Sequence, residues 1–82
     1  MRLDKYLKVS RLIKRRTVAN EACDAGKVFV NDKAARASYD VKVGDVILLS
    51  LGARQLRVRV ESVQETVLKN DAPLLYSVLP EE

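Results

Sequence analysis

Leu3, Tyr6 and Leu7 fall on one side of a helical wheel, at 100° per residue, while Asp4, Lys5 and Lys8 fall on the other. That spacing predicts a first helix over residues 3–10, with one packed face and one wet face. Asp4 stands four residues before Lys8, the favourable order for a helical ion pair, and near the positive end of the helix dipole. It reads as a structural carboxylate rather than a catalytic one. Arg2, where the helix starts, is expected to reach outward freely. The periodicity lapses between Ser10 and Arg16, where a turn is expected to tuck Leu12 and Ile13 inward and leave its cations outside. A second helix is predicted from about residue 15–17 to Ala25, with Thr17 as its N-cap. Its apolar face is Val18, Ala19, Ala22 and Cys23, opposite Asn20, Glu21 and Asp24. Small side chains on that face permit close approach of the first helix, and Cys23 reads as a small core residue.

Gly26 falls where a helix end calls for a left-handed residue. Val28, Phe29 and Val30 then form a short strand, and Asn31-Asp32 suits a two-residue turn because both types tolerate positive φ. Residues 33–39 return as a weak strand or extended loop. Residues 41–45 turn into a strand over 46–51, and Gly52-Ala53 turns again. Over residues 55–63 the alternation is the clearest in the chain, with Leu56, Val58 and Val60 inward and Arg57, Arg59 and Glu61 outward. Exposed strand cations of that kind commonly keep a sheet edge soluble. A polar loop through residues 70–73 leads to a last strand over 74–79. The expected fold class is α+β, a helix-turn-helix packed on a small antiparallel sheet, and residues 1–82 are expected to form one domain.

Composition narrows the chemistry. With 48% hydrophobic and 32% charged residues the chain has the balance of a folded domain. A single cysteine cannot close an internal disulfide, and the absence of histidine removes the usual zinc ligand sets, so neither a metal nor another cofactor is expected. A reducing cytoplasm fits this usage. The longest apolar-rich run, residues 46–51, is far below membrane-spanning length, so no membrane partner is expected.

Charge is distributed unevenly. Residues 1–16 hold Arg2, Lys5, Lys8, Arg11, Lys14, Arg15 and Arg16 against the single acid Asp4, a net charge of +6, while residues 17–82 hold 8 basic and 10 acidic side chains, a net −2. A solvated helix face normally balances its cations with acids, and here they are missing. One-sided positive charge of this kind draws polyanions to one face. Arg15 and Arg16 flank a helix start whose free N–H groups also favour an anion. These seven side chains are the candidate phosphate-binding set.

The order Arg2-Leu3-Asp4-Lys5-x-Leu7, then Arg16 and Ala19, then Gly26-Lys27-Val28-x-Val30-Asn31, then Ser38-x-x-Val41-x-x-Gly44-Asp45 resembles the S4 RNA-binding domain family across residues 2–47. The resemblance implies the S4-type fold, an RNA-contact role for Arg2, Lys5 and Arg16, and turn roles for Gly26, Asn31, Gly44 and Asp45. The turn Asn31-Asp32 departs from the Asn-Gly usual in the family. Within the family, the compact length and residues 8–17 resemble the stand-alone bacterial factors of ribosome-associated quality control. That likeness implies a monomer bound to large-subunit rRNA and peptidyl-tRNA, supporting a partner protein that tails the stalled nascent chain. The alternatives are the heat-shock 15-kilodalton proteins, related recycling factors for large subunits carrying nascent chains, and another S4 RNA-binding adaptor. S4 domains also occur attached to pseudouridine synthases and tyrosyl-tRNA synthetases. This chain has no histidine, no glycine-rich phosphate loop and no converging carboxylates, so a catalytic role is not expected.

Overall fold

The computed structural model describes residues 1–63 and 75–79. The element order is α1 (Leu3–Val9), α2 (Arg16–Asp24), β1 (Val28–Val30), β2 (Lys33–Ala34), β3 (Val46–Leu51), β4 (Arg54–Val60) and β5 (Tyr76–Val78). The strands form one antiparallel sheet in the order β2-β1-β3-β4-β5. Residues 33–39, read from sequence as weak strand or loop, supply only the two-residue β2. The predicted loop over residues 70–73 lies outside the described residues.

One core joins the two layers. Leu3, Tyr6 and Leu7 of α1 and Ala19 and Cys23 of α2 meet Val28, Val30, Ile47, Leu49, Val58 and Val60 from the inward side of the sheet. Full burial of a Leu, Ile or Val side chain contributes about 1.5–3 kcal/mol. Strand alternation produces the inward set: Val30 pairs with Ile47 and Ile47 with Val58. Tyr6 spans the core, and its hydroxyl donates to the Leu75 carbonyl at 2.6 Å.

Short helices need their free ends satisfied. For α1, the Leu3 and Asp4 N–H groups donate to the Tyr39 and Ala37 carbonyls, so the 37–41 segment caps the helix and an isolated Arg2–Asp40 bridge continues the contact. At the other end of α2, Lys27 N–H donates to the Ala22 carbonyl and Gly26 N–H to the Cys23 carbonyl, both at 3.0 Å. Gly26 has φ +72° there, as this closure requires.

Three expectations about the helices fail. Thr17 lies inside α2 and Arg15 occupies the N-cap, with no side-chain capping bond. Val18 is 47% exposed rather than packed, because α1 meets α2 along Ala19 and Cys23. Asp4 is buried at 2% exposure instead of facing water beside Lys8.

Candidate RNA interface

Asp4 organises the cationic face. Its Oδ1 accepts from Lys5 N–H at 2.8 Å and from Arg2 Nε at 3.2 Å, and its Oδ2 from Asn20 Nδ2 at 3.3 Å. Arg2 Nη2 also donates to Oδ2, at 3.4 Å, and Arg16 Nε lies 3.4 Å from the same oxygen. Burial opposes ionisation of this carboxyl. Hydrogen bonds from Arg2, Asn20, the Lys5 N–H and Arg16 together outweigh it and hold Asp4 below the usual carboxylate range. Arg2 is therefore tethered, contrary to the expectation that it reaches out freely. Both guanidiniums remain about half exposed, and each turns one edge to Asp4 while its other N–H groups stay available.

The remaining candidates do not converge on one point. Lys5 is half-buried, and Lys8, Arg11, Lys14 and Arg15 are exposed along the end of α1 and the turn. Ile13 is buried and Leu12 half-buried, as expected, so the apolar pair holds the turn down. Arg11 adopts φ +63° directly after the α1 C-cap Ser10. That is the left-handed position where helices usually place glycine. A long cation held there costs conformational energy and projects its charge from the turn.

Beside the arginine pair, a cleft of about 550 Å³ is lined by Arg2, Asn20, Cys23, Asp24 and residues 36–38. It shares Asn20 with a smaller cleft of about 380 Å³ that reaches Asp4, Arg16 and Thr17. Arg36, absent from the candidate set, thus lines a cleft with Arg2. Only its adjacency in the fold reveals it, because Arg36 lies in a segment without clear periodicity. Cys23 is buried, and its thiol is pushed up to about 11, first by burial and then by Asp4 and Asp24. That argues against a thiolate nucleophile. Among the described residues, no group of three or more His, Cys, Asp or Glu side chains is placed to hold a metal.

A second buried carboxylate fixes the turns. Asp45 Oδ2 accepts from the Tyr39 hydroxyl at 2.9 Å and from Lys42 N–H at 3.0 Å, and Oδ1 accepts from Asn31 Nδ2 at 3.1 Å. Asn31 Oδ1 in turn accepts from Val46 N–H at 3.1 Å. The hydrogen bond to Asp45 is the leading cause that raises the Tyr39 phenol. These bonds assign the turn residues Asn31 and Asp45 a shared structural task.

Residues 1–47 match the S4 domain family. The whole chain is 50% identical to an RQC P-site tRNA stabilizing factor of Halalkalibacterium halodurans, covering 93% of that protein, and 48% identical to one of Bacillus subtilis, covering 95%. The chain belongs to the S4 family of RQC P-site tRNA stabilizing factors. Its S4 fold is also that of heat shock protein 15 from Vibrio cholerae, a structure described as trimeric, with a TM-score of 0.89, 30% identity and coverage of 96% of this chain and 81% of that one. Family membership agrees with the α+β reading. Among the described residues, no helix is long and apolar enough to cross a membrane.

Proposed function

We propose that this chain stabilises P-site tRNA on the large ribosomal subunit during ribosome-associated quality control in the cytoplasm, acting as a monomer by binding and not by catalysis. The observation that carries the reading is the pair Arg2 and Arg16 held on buried Asp4, in a chain that matches P-site tRNA stabilizing factors over its full length. A guanidinium with one edge anchored presents its other donors in a fixed fork, which suits phosphate oxygens. Lys5, Lys8, Arg11, Lys14 and Arg15 extend the contact along the turn. Most of the affinity then comes from the phosphate backbone and falls with salt. The tethered tRNA gains from the high effective concentration of an assembled site, and a tailing partner protein extends the nascent chain while the tRNA is held.

Sucrose-gradient sedimentation of lysates containing stalled large subunits tests this. Wild-type chain is expected in large-subunit fractions together with peptidyl-tRNA, and Arg2→Ala and Arg16→Ala chains are expected near the top. Wild-type chain that stays free, or sediments with small subunits, refutes the assignment.

A further inference from the structure

The sheet has a second face, turned away from the helices. Across it, Phe29, Leu48 and Arg57 are aligned on β1, β3 and β4. The next row is Val46, Arg59 and Ser77. On the other side lie Ser50 and Gln55, with Lys27 beside them, its carbonyl accepting from Ser50 N–H at 2.9 Å. The alternate residues of the same strands are those buried against α1 and α2, so the two faces differ in chemistry.

This outer face carries Lys27, Arg57 and Arg59 and, among the residues of these rows, no carboxylate. Residues 46–60 hold three arginines and no acid. Glu61, just past the end of β4, accepts from Ser77 Oγ at 2.8 Å. Phe29, Val46 and Leu48 are half-buried there and stand outside the packed core cluster. Edge protection, the sequence-based account of Arg57 and Arg59, does not apply, because β4 lies between β3 and β5. Two cations in mid-sheet beside apolar side chains therefore need another explanation.

We propose that the outer face of the sheet is a second RNA-backbone site, so that the chain bridges two RNA segments, one on each side. The proposal rests on the function proposed above for the choice of RNA as partner. Arg57 and Arg59 are about 6.6 Å apart along the strand, from the usual rise per residue, and offer neighbouring contacts to phosphates. Phe29 gives an apolar aromatic surface for a base or ribose next to them. An acidic protein segment also complements the arginines. RNA is favoured because a factor that immobilises tRNA on a subunit built of rRNA must hold two RNA segments, and the helix-turn face supplies one grip.

Photo-crosslinking on the full chain, bound to purified large subunits carrying peptidyl-tRNA, tests the assignment. Benzoylphenylalanine is placed at Leu48 on the sheet or at Thr17 on α2. Crosslinks from both positions to RNA, mapping to different segments, are the expected result. Crosslinks to RNA from Thr17, with only protein or nothing captured from Leu48, overturn the second site and leave the helix-face reading intact. No RNA from either position overturns both. As a second measure, Arg57→Ala/Arg59→Ala chain, with folding checked by circular dichroism, is titrated against the same particles at several salt concentrations. The log–log salt slope should become shallower by about 0.7–0.9 for each lost phosphate contact. An unchanged slope and affinity overturn the proposal.

Discussion

Arg16 Nε lies 3.4 Å from Asp4 Oδ2, which joins the first turn of α2 to the first turn of α1 through one buried carboxylate. Asp4→Ala and Asp4→Asn should each destabilise the fold by about 1–3 kcal/mol in urea unfolding at neutral pH. Most of that comes from the Lys5 N–H and Asn20, since ion pairs to half-exposed arginines contribute little. The pH dependence has a defined sign. Asp4 titrates lower in the folded chain than in the unfolded one, so its contribution is complete above the ordinary aspartate value of about 3.9 and is lost as pH falls through the lower folded value. The gap between wild type and Asp4→Asn should therefore close on acidification below about pH 4.

Arg11→Gly separates stability from binding. Relief of the left-handed backbone gains about 1–2 kcal/mol, offset by about 0.5–1 kcal/mol for the added freedom of glycine in the unfolded chain. The urea midpoint should rise while affinity for large subunits falls. Higher stability with unchanged affinity would show that the Arg11 side chain does not touch RNA.

Two neighbouring turn residues should respond in opposite directions. Asn31 and Asp32 have φ of +53° and +69°. Asp32→Gly relieves strain in a turn that relies on backbone geometry and should stabilise by about 0.5–1 kcal/mol. Asn31→Gly relieves similar strain but removes the bonds to Asp45 and Val46 N–H. It should be destabilising in the same thermal-melt comparison.

Cys23 reports on opening of the helix layer. Its thiol is buried and its folded pKa is about 11 against an ordinary value of 9.0, so stability linked to it is present below pH 9 and declines as pH rises towards 11. Thermal melts should fall over that window, and Cys23→Ala should flatten part of the decline. At pH 8, alkylation by iodoacetamide should be slow in the folded chain and fast in urea. Rapid alkylation under native conditions would contradict the packing of Cys23 against α1.

Much of this fold was legible because local pattern and tertiary packing agree. The inward row of β4, the Asn31-Asp32 reversal and the α1 stripe of Leu3, Tyr6 and Leu7 follow from period and residue type alone, whereas the apolar run of β3 has no alternation to show which of its residues face inward. Asp4 was not legible in the same way. A wheel places it beside Lys8, but whether that side is wet depends on α2 bringing Arg16 and Asn20 against it, which is a long-range fact. The exposure of Val18 has the same origin, since the line of contact between two helices is set by both. Within the cationic face, the charge pattern identified the cations, and the family resemblance gave Arg2, Lys5 and Arg16 a contact role. Neither showed that a buried carboxylate orients Arg2 and Arg16 while Lys8 and Lys14 extend from the surface, or that Arg36 lines a cleft with Arg2.

The hydrogen bond from Tyr6 to the Leu75 carbonyl imposes an order on synthesis. The helices that frame the cationic face are made first, yet their core closes only when a residue 69 positions later has been added. At about 5–20 residues per second, that delay is about 3–14 s. Throughout it the +6 segment is attached to a chain whose core this bond has not yet closed, whereas the partners of Asp4, all within residues 2–20, are already made.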